Sequence, residues 1–172
     1  MTLGDEYFYA GRIQRLDETK PILLIEPYDY AIVTSAENAN FPLNACGRFD
    51  LSVSLFAQGV ILSNGPQIDP GFRGPLFCLL FNTSTSPVLL KRRKHYATLE
   101  IHKLIEPTVA YRGQYQAKTL LDYLPSNAAR GAINELRKEV ESLKTESRNL
   151  QAMTLAVISV ILAIVAIWVS LK

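Results

Sequence analysis

The chain has 172 residues, 48% of them hydrophobic, and its 18 Lys and Arg against 16 Asp and Glu give a formal net charge of +2. That length holds one domain with a real core plus an appended segment, and so small a net charge argues against nucleic acid as a partner. Two cysteines, Cys46 and Cys78, lie in apolar, strand-like contexts without a second pair, so reduced core residues are expected rather than a disulfide or a metal frame.

In chain order, Met1 to Ala10 is polar and aromatic and carries no cleavable signal. Between Ile22 and Leu104, short β-branched and aromatic runs alternate with turn residues, and nothing sustains a helical period. Strands are predicted at Ile22–Ile25, Ala31–Thr34, Leu51–Leu55, Val60–Leu62, Pro75–Phe81, Val88–Leu90 and Tyr96–Ile101. Turns are predicted at Pro27-Tyr28-Asp29, Asn64-Gly65-Pro66, Asp69-Pro70-Gly71 and Ser84-Thr85-Ser86-Pro87. The pattern is that of an all-β barrel or sandwich. Lys91, Arg92, Arg93 and Lys94 form a basic turn, which suits a triphosphate, an anionic lipid headgroup or an acidic partner, and equally a solvated loop. His95 and His102 have no Cys or carboxylate at ligand spacing, so no metal site is expected there.

From residue 129 to 151 the period becomes helical. Ile133, Leu136, Val140, Leu143, Ser147 and Leu150 recur at steps of three and four, a heptad stripe with Arg137, Lys144 and Gln151 at e and Glu139 and Glu146 at g. A parallel coiled-coil stalk is expected, with a single amphipathic helix as the alternative, and Val140 at a with leucines at d favours two strands. Residues 152–171 then carry no charge and are almost all Ala, Val, Ile and Leu, which is a bilayer's thickness of helix with no polar face. A single-pass C-terminal tail anchor follows, with Trp168 as an interfacial aromatic near its far end. Arg137, Lys138, Lys144 and Arg148 all precede the span, so the positive-inside bias places the N-terminal domain in the cytoplasm. In that topology the glycosylation pattern Asn82-Thr83-Ser84 is only a turn.

The most specific run is Ile68-Asp69-Pro70-Gly71-Phe72-Arg73-Gly74, followed by a strand ending at Asn82. It resembles the signature hairpin of the dCTP deaminase and dUTPase superfamily. Similar segments flank it: Leu3 to Tyr7, Ile25-Glu26-Pro27, Thr34, Glu37, Phe41-Pro42, Gly47-Arg48, Val88 to Leu90 and Ala97 to Leu99. Tyr111 to Gln116 is similar to the deaminase branch's C-terminal segment, which closes over nucleotide. The resemblance covers roughly residues 2–118 and implies a distorted, dUTPase-like β-barrel assembled as a homotrimer, with nucleotide bound at the subunit boundaries. The expected layout is a β domain over 1–118, a linker over 119–128, the stalk over 129–151 and a transmembrane helix over 152–171. A trimeric barrel disagrees with the stalk's two-strand preference, and the larger surface of the domain is expected to decide.

The resemblance also locates what has changed. The deaminase branch moves protons with a glutamate five residues beyond the glycine that matches Gly74, and here Leu79 stands at that position. An aliphatic side chain carries no proton, so deamination of that kind has no agent. The family's Arg-Ser-Ser-x-x-x-Arg segment is broken as well. Matched at Arg48, both serines become Phe49 and Asp50; matched from Gly59, Ser54 survives and Ala57 replaces the second arginine. The late turn has Thr98 for its glutamine and Arg93 for its glycine. Asp69 does match the dUTPase aspartate that activates water, although Asp-Pro-Gly is also ordinary turn chemistry.

The resemblance thus implies a membrane-anchored trimer whose deaminase chemistry is lost and which serves as a nucleotide-binding, sensing or scaffold module, with no cofactor required. The alternative is an active pyrimidine deoxynucleotide hydrolase using Asp69 and magnesium. Candidate nucleotide-binding residues are Arg48, Ser54, Asp69, Gly71, Phe72, Arg73 and Tyr115, together with the basic turn Lys91, Arg92, Arg93 and Lys94. Expected partners are further copies of the chain, the membrane and a pyrimidine deoxynucleotide.

Overall fold

The structure, a computed structural model, describes residues 1–63, 67–124 and 132–170. The turn expected at Asn64-Gly65-Pro66, the end of the expected linker (125–128), the start of the expected stalk (129–131) and the side chains of Ile133 and Trp168 lie outside the described residues. The chain divides into two units, Met1–Asn134 and Glu135–Lys172.

The first unit is built from strands. β1 (Leu3–Tyr9) and β2 (Arg12–Arg15) form a hairpin whose two-residue turn, Ala10 and Gly11, has φ of 52° and 79°. Positive φ at both positions matches the twist of a tight hairpin, and Gly11 supplies one of them without strain. β3 (Ile22–Ile25) pairs with β9 (Val88–Lys91) as a separate ribbon. β4 (Tyr30–Asn40), β6 (Val60–Leu62) and β8 (Arg73–Asn82) join the first hairpin in a five-stranded sheet ordered β2-β1-β4-β8-β6. β5 (Ala45–Leu51), β7 (Gln67–Ile68) and β10 (Ala97–Lys103) make a third sheet ordered β10-β5-β7. All pairings are antiparallel.

Period-two burial along these strands builds one core. Leu76, Cys78, Leu80 and Asn82 of β8 are buried while Phe77, Leu79 and Phe81 are half-buried on its other face, and Leu23, Ile25, Val88 and Leu90 meet the same cluster from the ribbon. Asn82, the one fully buried side-chain amide among the described residues, donates to the carbonyls of Ile25 (3.0 Å), Glu26 (3.2 Å) and Ser86 (2.8 Å) and accepts from the Ser84 amide and hydroxyl. It therefore fastens the end of β8 to the end of β3 and to the segment leading into β9.

The all-β expectation holds, with differences in detail. The strand expected at Leu51–Leu55 is instead the end of β5 and a short helix, α1 (Val53–Phe56). Leu51, Val53 and Leu55 alternate as a strand would, yet only Leu55 is buried and Val53 is 80% exposed. The Ser52 amide bonds to Tyr96, Ala57 bonds back to Val53, and Gly59 at φ 82° releases the chain into β6. β2, β5 and β7 were not legible as strands.

A second short helix, α2 (Leu120–Tyr123), begins with a capping box between Thr119 and Asp122 and buries Leu120. In the second unit, α3 (Ala132–Ser170) is a single uninterrupted helix, so the stalk and the apolar segment share one axis. Its 39 residues reach about 58 Å at 1.5 Å per residue. Leu136–Ile167 is long and apolar enough to cross a membrane. Thr145, Thr154 and Ser159 return their hydroxyls to the carbonyl four residues back, which satisfies these polar groups within the helix itself. Leu136, Val140, Leu143 and Leu150 of the heptad stripe are exposed, and Arg137 pairs with Glu141 at 3.1 Å along one face.

Candidate functional site

The hairpin that carries the signature run opens onto a cleft of about 530 Å³, the size of a small-molecule site. The turn itself is local chemistry. Pro70 presets φ, Gly71 takes φ 75° where a side chain would be strained, and the Phe72 amide returns to the Asp69 carbonyl at 3.1 Å. Gly71 is required for a second reason: a Cβ there would stand 2.8 Å from Ala110 Cβ and 2.9 Å from its Cα. The turn is thus packed directly against the segment that follows β10.

That segment is strapped to the hairpin. The Tyr111 amide bonds to the Pro70 carbonyl at 2.8 Å and the Ala117 amide to Arg73 at 2.9 Å. The Gln116 side chain accepts from the Arg73 amide at 2.9 Å and donates to the Gly71 carbonyl at 3.0 Å. Its aromatic residues wall one side of the cleft. Tyr115 and Tyr123 stack with centroids 4.7 Å apart, Tyr123 tilts on Phe77 at 4.3 Å, and Tyr111 meets Phe72 edge-on at 5.7 Å. These rings offer a face on which a planar heterocycle can lie.

Phe49, Ile68 and the β8 residues from Pro75 to Leu79 also line the cleft. Leu79 therefore borders the cavity itself. Asp69 is half-buried at the cleft and accepts a hydrogen bond from Gln67 Nε2 at 2.8 Å. Among the described lining residues Asp69 is the only carboxylate, and no Lys, Arg or His is present. No group of three His, Cys, Asp or Glu among the described residues could hold a metal, and the described lining would offer a magnesium ion one carboxylate, Asp69.

Phe49 and Phe72 line the cleft, and Tyr96 is not among its lining residues. Tyr96 is buried on the core side, where its hydroxyl faces Cys78. Burial pushes the Cys78 thiol up to about 12, and burial together with the neighbouring Cys78 also raises the Tyr96 hydroxyl, so both stay protonated at neutral pH.

The candidate residues fall into separate groups. Asp69, Phe72 and Tyr115 line the cleft, and Gly71 shapes its hairpin. Arg48 and Arg73 are exposed and do not line it. Ser54 instead borders a second depression of about 150 Å³ with Lys91, Lys94 and His95. The basic turn is internally divided. Asp5 on β1 receives Arg92 Nε at 2.9 Å and Arg93 at 3.1 Å, and backbone bonds between Leu3 and both Arg93 and Lys94 hold the turn on that strand. Hydrogen bonding from Arg92 and the charge of both arginines keep the Asp5 carboxyl below its ordinary value. Arg93 adopts φ 60° at the position where the family turn carries glycine.

Gln67, Phe77, Tyr123 and the side chain of Gln116 were not singled out from sequence. Gln67 sits on a two-residue strand that no periodicity marks, and Tyr123 follows the segment that the resemblance covers.

Comparison with known proteins places this geometry. The family model of dCTP deaminase-like proteins matches residues 11–104, more than half of the chain. A dCTP deaminase from Thermococcus gammatolerans is 30% identical over 117 residues, covering 67% of this chain and 73% of the relative. One from Pyrococcus furiosus is 30% identical over 124 residues, covering 72% and 78%. Among solved structures, a native EIAV dUTPase aligns with a TM-score of 0.45 at 18% identity, over 67% of this chain and 99% of that one. The sheet-rich domain followed by one long apolar helix is the architecture expected from the sequence, and the chain belongs to the dCTP deaminase-like family.

Proposed function

We propose that this protein is a non-deaminating member of its family, which binds a pyrimidine deoxynucleotide in the cleft beside Asp69 and displays that domain at a membrane as a sensing or scaffold module. The observation that carries this reading is Leu79. It borders the cavity at the position of the family's proton-carrying glutamate, and the described lining offers only Asp69, held by Gln67 at the hairpin, as another carboxylate. Hydrolytic loss of an exocyclic amine needs a group that takes a proton from water and delivers one to the leaving amine. The aromatic wall of Tyr115, Tyr123 and Phe77 supports retention of ring binding.

Further copies of the chain would supply what the single chain lacks. Arg48 and Arg73 are exposed and do not line the cleft of their own chain, as expected if phosphates are met by a neighbouring subunit of a trimer. Membrane attachment is supported by the apolar stretch of α3, and a cytoplasmic domain by the four basic residues preceding it. Self-association of the stalk is supported by its exposed heptad stripe.

The test is to follow thermal unfolding of the domain with dCTP, dUTP, deoxycytidine or magnesium, and to analyse the nucleotide afterwards. A ligand at a hundred times its dissociation constant stabilises by about 2.7 kcal/mol. The expected result is stabilisation by a pyrimidine nucleotide recovered unchanged. Stabilisation by none refutes binding. Release of uracil product refutes the loss of deamination, and phosphate release abolished by Asp69→Asn establishes the hydrolase alternative instead.

A further inference from the structure

The β3–β9 ribbon has a face that the domain does not use. Its inward residues Leu23, Ile25, Val88 and Leu90 are buried, whereas Ile22, Leu24 and Leu89 on the outward face are 50%, 38% and 59% exposed. The register sets Leu24 directly opposite Leu89 and Ile22 directly opposite Lys91, so three large aliphatic side chains and one ammonium share one surface. Solvent-facing strand positions ordinarily carry polar residues, and an aliphatic patch there marks a contact surface.

The charges bordering this patch are also uneven. Arg92 and Arg93 are engaged by Asp5, while Lys91 and Lys94 make no ion pair among the described residues. Both lysines border, with Leu89 and Ser54, the shallow depression between the ribbon and α1, and α1 exposes Val53 and Phe56. Aliphatic side chains flanked by unpaired ammonium groups complement an anionic bilayer, where the tails accept the former and the phosphates the latter.

The geometry points to the outward face of the β3–β9 ribbon as a docking surface for an anionic lipid bilayer. This rests on the reading of α3 as a membrane span, because a tether of that kind keeps the domain at high effective concentration near the headgroups. Docking would then set which faces of the domain remain accessible to soluble partners.

The full chain is reconstituted into vesicles of phosphatidylcholine alone or of phosphatidylcholine mixed equally with phosphatidylserine, and flotation establishes attachment. Amide hydrogen exchange is then followed over Ile22–Ile25 and Val88–Lys94. Docking predicts slower exchange in the phosphatidylserine vesicles only, reversed by high salt. Lys91→Gln with Lys94→Gln should lower the docked population about fivefold per lysine removed. Leu24→Gln with Leu89→Gln, both at exposed positions, should abolish the protection while the chain still floats. Exchange that is equal in the two vesicles overturns docking and leaves the anchor intact. Equal protection in neutral vesicles and in detergent overturns it in favour of a second copy on this face. Failure to float overturns the anchor and the docking together.

Discussion

Replacing Gly71 with alanine tests whether the hairpin and the strap behind it form one unit. The residue sits at φ 75°, and an L side chain there loses about 1–2 kcal/mol of backbone energy. The added Cβ also meets Ala110 Cβ at 2.8 Å and Cα at 2.9 Å, with Leu43 Cδ2 at 3.2 Å. Two of these three contacts involve atoms fixed to the strap's backbone, so relief requires the strap to move, and overpacking of this kind destabilises by about 1–3 kcal/mol. Together the effects give about 2–5 kcal/mol, which at about 4 °C per kcal/mol for a domain of this size lowers the melting temperature by roughly 8–20 °C. Because Tyr111 and Tyr115 travel with the strap, ligand-dependent stabilisation should fall by a larger factor than stability alone explains. Asn at the same position separates the two causes, since asparagine tolerates positive φ but keeps the Cβ. Melting curves with and without pyrimidine nucleotide on Gly71→Ala and Gly71→Asn decide the matter. If Gly71→Asn were as stable as the parent, the close approach to Ala110 would be refuted.

Gln116→Ala removes two hydrogen bonds between strap and hairpin and should destabilise by about 1–3 kcal/mol. Exchange of the Arg73 amide should accelerate, and an unchanged rate would show that this clamp does not hold in solution. Asn82→Ala deletes the partner of three backbone carbonyls in a fully buried setting and should lose about 3 kcal/mol or more without altering the relative affinity for nucleotides. Chemical denaturation gives the loss, and a value under about 1 kcal/mol would mean that water replaces the amide. For Asp5, the folded carboxyl lies below its ordinary value of 3.8, so its contribution is complete above that pH and disappears as the pH falls through the lowered folded value. The melting difference between the parent and Asp5→Asn should therefore be constant near neutrality and shrink in acid. A difference that grows in acid would contradict the pairing with Arg92.

How much of this was legible in the sequence depends on whether side chains or neighbours decide. β3 and β9 announce themselves because their inward positions hold Ile, Leu and Val at period two, and β8 because Leu76, Cys78 and Leu80 recur at that period in an apolar run. β5 does not, because its inward positions include Ala45 and Gly47. Gly47 is small for a reason that lies elsewhere in the chain, since a Cβ there would stand 2.5 Å from the Phe41 ring. β2 has no buried residue and is a strand only through its pairing with β1. Leu51 to Leu55 shows the opposite failure, where an alternating apolar pattern yields to the need to turn between sheets. At the site, the Asp69-Pro70-Gly71 turn and Leu79 were readable from local pattern and resemblance. The aromatic wall was only partly readable, because Phe77, Tyr115 and Tyr123 come together through the strap's return path. The basic turn read as four equivalent cations, and only the fold reveals that Asp5, 87 residues upstream of Arg92, engages two of them.

The most direct test of the account is conversion of dCTP by protein held in excess over nucleotide for a prolonged time, with dUTP and ammonia quantified. With Leu79 bordering the cavity and no second carboxylate in its described lining, the expected outcome is bound dCTP and no uracil nucleotide above the uncatalysed background. Appearance of dUTP, lost when Asp69 is changed to asparagine, would contradict the account and show that Asp69 moves the protons that Leu79 cannot.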